Sequence, residues 1–263
     1  MPITPQEKNE ISDLLKEKIR RKLQDYSPET TSMPFHTRLL GQDRMALFSF
    51  IQSINTTLGT SVFEQIAAII AHSHFRQAVH QYRHFNNTIS RSAQRVIQEI
   101  MDELVAARSV PNKTEETAKI LRVSQTGELV TIRRPRIDLF VETSDGIELY
   151  FDLKTAKPNI SDFRAYKRQL LDWVAIRGAQ DNTANIRTLI AIPYNPYEPE
   201  PYQRWTLQGL FDLQNEIMVA DEFWNFLGGD DTYEQLLSVF ESVGLELRPE
   251  IDQRFQQFNK KIL

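Results

Sequence analysis

The sequence predicts an α/β fold in which a mixed β-sheet is flanked by helices, with further helical parts at the N-terminal and C-terminal ends. Residues 136–142 and 147–154 are rich in β-branched and aromatic side chains and are separated by a short turn, a pattern typical of a β-hairpin. A helical pattern over residues 161–178 then leads to the apolar segment 186–192. Two strands joined by a crossover helix pair in parallel, so the predicted sheet contains both antiparallel and parallel pairs.

The two faces of this hairpin differ in chemical character. Side chains alternate between faces along a strand, which gives one face six apolar residues: Ile137, Leu139, Val141, Leu149, Phe151 and Leu153. The opposite face receives Asp138, Asp152 and Lys154. Partly buried charges destabilise a fold unless they are paired, so this grouping indicates a functional site. Two neighbouring carboxylates favour a hard divalent cation such as Mg²⁺, and the lysine is placed to hold or activate a water.

The spacing of these residues resembles a known signature. The pattern resembles the PD-(D/E)XK motif of nucleases. It consists of Asp138, thirteen intervening residues and the Asp-Leu-Lys of residues 152–154. The proline of that motif is displaced, because Pro135 lies three positions before Asp138 and Ile137 stands where the proline is expected. The structural alternative is a surface hairpin that carries an ordinary salt bridge.

Longer segments, at residues 33–41, 48–64 and 195–229, resemble type II restriction endonucleases of the TdeIII type. The resemblance covers residues 33–250 and implies a restriction-endonuclease-like core in a homodimer that uses Mg²⁺ to cut double-stranded DNA. It also implies a short palindromic GC-rich site of the GGNCC kind and products with 5′-phosphate ends. A DNA methyltransferase is then expected as the genetic partner.

Carried over to this sequence, the resemblance implies that Asp138 and Asp152 bind the metal and that Lys154 orients or deprotonates the attacking water. Glu64 is the fourth member of this scheme, because many nucleases of this fold bring a glutamate to the metal from a helix before the hairpin. The residues leave a second role open. Ser61-Val62-Phe63-Glu64 has the Ser-x-x-Glu pattern of a helix-capping box, in which Glu64 is purely structural.

The charge distribution favours a DNA-binding surface near the hairpin. The net charge is −4, yet residues 1–197 carry 26 basic and 22 acidic side chains, whereas residues 198–263 carry 5 and 13. A DNA-binding protein needs a local basic surface rather than a basic whole. The residues predicted to contact DNA are Arg133, Arg134, Arg136, Lys157, Arg164, Lys167 and Arg168. The acidic tail is expected to face away from phosphate or to pack against the basic part.

The length of 263 residues allows one large domain or a core with appendages. We expect an N-terminal helical region over residues 1–58, the nuclease core over residues 59–197 and an acidic C-terminal helical region over residues 198–263, packed as one compact unit. The absence of cysteine excludes disulfides and thiolate metal sites. No apolar run reaches membrane-spanning length and no signal peptide is recognised, so a cytoplasmic protein is expected, and the resemblance implies a prokaryotic one.

The remaining elements are predicted from periodicity and capping residues. Thr4 caps the first helix with Glu7 closing a capping box, and a break over residues 55–60 separates two later helices. Four histidines at positions 72–84 are interpreted as polar helix surface, with zinc binding as the alternative. Residues 113–127 are predicted to be a polar connection, and the tail to carry three helices near residues 207–213, 221–227 and 232–243.

Three other functions compete with the restriction-enzyme interpretation. A repair or recombination nuclease can use the same core to cut DNA according to its structure. A non-catalytic DNA-binding module is a second alternative, although the intact Asp, Asp and Lys set at the hairpin argues against it. A small-molecule enzyme is the third, and the sequence contains no cofactor motif or Gly-rich phosphate loop to support it.

Overall fold

The computed structural model describes residues 3–25, 33–83, 86–133, 136–154, 162–203, 207 and 209–260. The helices of this part are α1 (Pro5–Asp25), α2 (Pro34–Leu40), α3 (Gln42–Thr57), α4 (Phe63–His72), α5 (Arg91–Val105), α6 (Lys113–Val123), α7 (Phe163–Gln180), α8 (Asp221–Gly228) and α9 (Thr232–Lys260). The strands are β1 (Gln77–Tyr82), β2 (Thr88–Ser90), β3 (Leu129–Thr131), β4 (Ile137–Glu142), β5 (Glu148–Leu153), β6 (Ile186–Ile192) and β7 (Ile217–Val219).

A five-stranded mixed sheet with the order β1-β4-β5-β6-β7 forms the centre of the fold. The β4–β5 hairpin is antiparallel, and Gly146 in its turn has a φ of 82°, a conformation that suits glycine. The crossover through α7 then pairs β6 parallel to β5, and β7 continues in parallel beside β6. The predicted α/β fold class and mixed sheet are therefore confirmed. β2 and β3 form a separate two-stranded sheet.

Each face of the sheet is covered by its own apolar core. The first core contains Leu139, Val141 and Phe151 of the hairpin together with apolar residues of α1, α4, α8 and α9. The second contains Phe140 and Tyr150 from the opposite face and apolar residues of α5, α6 and α7. The face predicted to carry the charges is thus largely apolar, and the charges lie at one end of it. Of the six residues predicted for the first face, Ile137 packs in the second core instead.

The two ends of the described chain pack against each other. The Thr4 amide and the Glu7 amide exchange hydrogen bonds with each other's side chains at 2.7 and 3.2 Å, which confirms the predicted capping box of α1. Further along α1, Lys16 pairs with Glu246 of α9 at 2.6 Å, and Arg20 pairs with Glu250 at 2.8 Å. Basic residues in the second half of α1 therefore pair with acidic residues of α9. Whether the chain divides near residues 58 and 197 stays a prediction.

Several local predictions are wrong because tertiary contacts override the local pattern. Residues 77–82 form β1 rather than helix surface, because pairing with β4 satisfies their backbone groups at the sheet edge. Residues 113–123 form α6 rather than a connection, since Asn112 caps the helix and Ile120 is fully buried. The predicted break over residues 55–60 is absent, and a π-helical turn at Leu58–Val62 joins α3 directly to α4.

The tail also differs from its predicted pattern. Around residues 207–213 the described part shows only a turn, in which Leu210 and Phe211 donate to the Leu207 carbonyl. α8 is confirmed, whereas α9 extends well beyond residue 243 and contains Pro249. Within the described ranges, no helix is both long and apolar enough to cross a membrane.

Gly178 does not end its helix as predicted, because α7 continues to Gln180. The residue is buried where α7 meets α6, and a Cβ atom there would lie 2.8 Å from both Leu121 Cδ2 and Ser124 Cβ. The glycine is therefore required by the close approach of two helices. Gly244 in α9 is exposed and has open space around it, since a Cβ atom added there meets no described atom within 4 Å.

This contrast gives a paired stability prediction. Gly178→Ala should lower the free energy of unfolding by about 1–3 kcal/mol, because the added methyl group overpacks the α6–α7 contact. Gly244→Ala should raise it by about 0.5–1 kcal/mol, because alanine favours a helix without new contacts. Urea denaturation of both variants checks the pair. A Gly178→Ala protein as stable as the wild type would contradict the described helix contact.

Candidate active site

Two aspartates face each other across the β4–β5 hairpin. Leu139 pairs with Phe151, so the register places Asp138 beside Asp152 one residue further on, and their side chains interact directly. Asp138 is 7% exposed and Asp152 is 2% exposed. The backbone amide of Leu153 donates to Asp138 Oδ2 at 2.9 Å and fixes that carboxylate to the neighbouring strand. The hairpin thus brings together the two carboxylates that the sequence predicted would meet.

Lys154 completes the group at the end of β5. Its Nζ atom donates to Asp152 Oδ1 at 2.6 Å and lies 4.5 Å from the centre of the Tyr166 ring. Its backbone amide donates to the Ala191 carbonyl, which ties the residue to β6. The lysine is therefore held beside the carboxylates while part of its side chain stays accessible, at 21% exposure.

Glu64 reaches the same site from α4. Its side chain is fully buried, and its Oε1 atom accepts a hydrogen bond of 2.7 Å from Arg136. Val62, at the start of α4, has helical dihedral angles, and no side-chain hydrogen bond caps the helix there. The capping-box interpretation of Glu64 is therefore wrong, because the helical chain continues through residue 62 and leaves no free N-terminus to cap.

Arg136 lies between the two acids. Its guanidinium donates to Asp138 Oδ1 from Nε at 3.1 Å and from Nη2 at 2.9 Å, and the same Nη2 contacts Glu64. The side chain is 40% exposed. Sequence reasoning placed Arg136 among the DNA contacts, and the structure shows it as the bridge between two buried carboxylates.

Gln81 is a residue that sequence reasoning missed. It lies in β1 between His80, which pairs with Leu139, and Tyr82, which pairs with Ile137. Its φ of 54° is a left-handed conformation that is unfavourable for a residue other than glycine. Its side chain interacts with the Glu64 carboxylate. No local signal marks this residue, because its role depends on contact with Glu64 in a different element of the fold.

Burial and the charge of Asp138 raise the pKa values of Glu64 and Asp152. Burial, followed by the Asp138 charge, raises the pKa of Glu64 to about 7, although Arg136 and Gln81 oppose the shift. Burial also raises the pKa of Asp152 to about 6; Lys154 opposes this shift and Asp138 adds to it. Both carboxylates therefore take up protons more readily than free acids, as expected where negative charge is concentrated.

The donor set fits a hard divalent cation. Asp152 Oδ2 and Glu64 Oε2 are buried and have no hydrogen-bond partner in the part of the chain that the structure describes. A buried carboxylate oxygen without a partner is costly, and a cation would satisfy it. Among the described residues, no group of three or more His, Asp or Glu side chains is arranged to hold a metal. The adjacent carboxylates of Asp138 and Asp152 fit the needs of Mg²⁺, which keeps several waters and takes one or two protein carboxylates plus substrate phosphate. Zinc binding by the histidines stays an untested alternative, because His84 lies outside the described residues.

The predicted DNA contacts are placed unequally. Arg133 and Arg164 are exposed, and Arg168 is partly buried and donates to Gln98 at 2.8 Å. Arg134 and Lys157 lie outside the described residues. These five assignments stay predictions.

The prediction for Lys167 is wrong. Its side chain is 0% exposed, and Nζ contacts Glu116 and Glu216 at 2.6 Å each. Lys113 approaches Glu216 at 3.0 Å and completes a buried group of two lysines and two glutamates. This group joins α6, α7 and the segment before β7, so Lys167 is not accessible to a phosphate.

Fold and site together define the class of the protein. A helix with a buried glutamate, an antiparallel hairpin with paired aspartates and a lysine, and a crossover to a parallel strand form the core of the restriction-endonuclease fold. The class is that of type II restriction endonucleases, which are DNA-cleaving hydrolases.

Comparison with known proteins identifies the family. The family described as "Type II restriction endonuclease, HinfI" matches residues 3–244, and the chain belongs to this family. It is similar to the type II restriction enzymes HgiCII and HgiEI of Herpetosiphon aurantiacus, with 29% and 28% identity over 97% and 98% of this chain and 99% and 100% of those enzymes. It is also 27% identical to the type II restriction enzyme MjaII of Methanocaldococcus jannaschii, over 82% of this chain and 59% of that enzyme.

These matches confirm part of the resemblance seen in the sequence. The type II restriction endonuclease class is confirmed, and the family that matches is HinfI. The alternatives of a repair nuclease, a non-catalytic DNA-binding module and a small-molecule enzyme are not supported, because the relatives matched along their whole length are restriction enzymes.

The corrected role of Lys167 leads to a stability prediction. Lys167→Ala should lower the free energy of unfolding by about 3–5 kcal/mol, because it leaves Lys113 as the one lysine of the group to balance two buried carboxylates. Arg164→Ala, an exposed change on the same helix, should alter stability by at most about 0.5 kcal/mol. Thermal or urea denaturation measures both. Equal stabilities for the two variants would argue against a buried Lys167.

Proposed function

We propose that this enzyme hydrolyses phosphodiester bonds of double-stranded DNA at a site formed by Asp138, Asp152, Lys154 and Glu64, with Mg²⁺ as cofactor. The observation that carries the proposal is the buried pair of aspartates in direct contact across β4 and β5, with Lys154 2.6 Å from Asp152. The partnerless oxygens of Asp152 and Glu64 support the presence of a cation during catalysis.

Each residue has a separate task in this proposal. Asp138 and Asp152 hold the cation, and the amide of Leu153 keeps Asp138 oriented towards the shared site. Lys154 orients the attacking water and takes part in moving its proton, since its ammonium is fixed at the edge of the site but accessible. Glu64 contributes further negative charge from α4. When bound, Mg²⁺ lowers the pKa of water and neutralises charge that develops on the phosphate.

We infer the finer properties of the substrate from the resemblance alone. The target is a short palindromic GC-rich sequence of the GGNCC kind, and cleavage leaves 5′-phosphate ends. A palindrome presents two equivalent bonds related by a twofold axis, so two copies of the enzyme are needed to cut both strands in one complex. The enzyme is therefore proposed to act as a homodimer, beside a DNA methyltransferase that protects the host.

Digestion of unmethylated plasmid DNA with Mg²⁺, followed by sequencing of the cut ends, tests this proposal. Discrete fragments whose ends share one palindromic sequence are expected. Random nicking would contradict site-specific cleavage, and fragments with a different shared sequence would correct only the GGNCC assignment. EDTA should abolish cutting, and Ca²⁺ should support DNA binding but little cleavage, because it coordinates loosely.

Substitution of the site residues gives a quantitative prediction. Asp152→Asn and Lys154→Ala should each lower the single-turnover cleavage rate by about 10³-fold, which corresponds to about 4 kcal/mol of transition-state stabilisation. Asp145→Asn is the matched control, because Asp145 is an exposed acid in the turn of the same hairpin. Its rate should equal that of the wild type. An Asp152→Asn enzyme that cuts at the wild-type rate would show that the site assignment is wrong.

The proposed stoichiometry makes a further prediction. Sedimentation with a cognate palindromic duplex should give a complex of two chains with one duplex, and both strands should be cut. The same duplex with one scrambled half-site serves as the control and should bind more weakly. A single chain on the palindromic duplex, cutting one strand, would indicate a nicking mode of action instead.

A further inference from the structure

The charge balance of the active site rests on Arg136. Glu64, Asp138 and Asp152 are each less than 10% exposed. Lys154 neutralises one of these acids through its contact with Asp152. Arg136 is bonded to the other two, through three hydrogen bonds of 2.7–3.1 Å. A planar guanidinium with several donors can bridge two carboxylates in this way, whereas an ammonium cannot reproduce the geometry.

Arg136 is also the accessible member of the bridge. Its side chain is 40% exposed, whereas those of Glu64 and Asp138 are 0% and 9% exposed. It lies one residue before β4 begins at Ile137, so its side chain can rotate outward without breaking the pairing of the strand. The two carboxylates are fixed by the helix and the sheet, and the guanidinium is the part that can leave.

We propose that Arg136 is a positioning residue that bridges Glu64 and Asp138 and competes for Asp138 with the divalent cation assigned above to Asp138 and Asp152. This inference rests on the proposed function and assigns to Arg136 a role beyond phosphate contact. In the metal-free protein the guanidinium holds the acids together against their mutual repulsion. A cation held by Asp138 and Asp152 would need the Asp138 oxygen that Arg136 occupies, so its binding would displace the guanidinium towards the solvent side of the site.

Competition has a consequence that a purely structural salt bridge does not have. Removing the competitor makes metal binding tighter, even though the variant protein is less stable without metal. If the guanidinium only holds β4 in place, its removal loosens the site and metal binding becomes weaker. The direction of the change in affinity therefore separates the two roles.

Titration of the intact protein with Ca²⁺ in the absence of DNA, measured by isothermal titration calorimetry, tests the proposal. Arg136→Gln should bind Ca²⁺ about tenfold more tightly than the wild type, equivalent to about 1.4 kcal/mol. It should also show a larger rise in melting temperature when Ca²⁺ is added. Arg76→Gln is the matched control, because Arg76 pairs with Glu142 at the other end of β4, and its Ca²⁺ affinity should stay within about twofold of the wild type. If Arg136→Gln does not fold, Arg136→Lys replaces it, with a smaller gain in the same direction.

The double variant Arg136→Gln/Asp152→Asn should lose the increase in Ca²⁺ affinity. That loss would show that the tighter binding takes place at the predicted site. Equal or weaker Ca²⁺ binding by Arg136→Gln, or binding that is undetectable in both proteins, would overturn the inference. Failure of the proposed function looks different. In that case the wild-type protein does not cut DNA with Mg²⁺, whatever the Ca²⁺ affinities are.

Discussion

The confinement of three carboxylates in one buried place is the constraint on which this structure is built. Burial and the charge of Asp138 raise the pKa values of Glu64 and Asp152, and the three acids would repel one another without a counter-charge. Such an arrangement destabilises a fold unless cations are supplied by the protein or by a ligand. The surrounding elements therefore serve to hold the acids at fixed positions, with Lys154 and Arg136 as the internal cations.

The two apolar cores provide this fixation. Phe151 packs into one core and Tyr150 into the other, so the strand that carries Asp152 is clamped from both faces. α4 brings Glu64 to the sheet from the side of the first core, and α7 closes the second core beside Lys154. Electrostatic preorganisation of this kind requires a rigid frame, because small displacements of a charged group change its interaction energies.

The sequence was sufficient to predict the parts of the site that follow from local geometry. Asp138 and Asp152 meet because a short hairpin has a fixed register, and Lys154 follows two residues later on the same face. Glu64 could be named only from resemblance, since its position depends on how α4 packs. The burial of Lys167 was missed because its partners Glu116 and Glu216 lie 51 and 49 residues away in the chain. β1 was missed because a polar strand at a sheet edge has little apolar periodicity.

The central claim is that Asp138 and Asp152 share a divalent cation whose binding moves Arg136. A crystal structure with Mn²⁺ and a duplex, with the metal located by its anomalous scattering, measures both features at once. We expect a peak about 2.0–2.2 Å from one oxygen of each aspartate, with the Arg136 guanidinium turned away from Glu64. A peak elsewhere in the protein, or a bound metal with Arg136 still bridging Glu64 and Asp138, would contradict it.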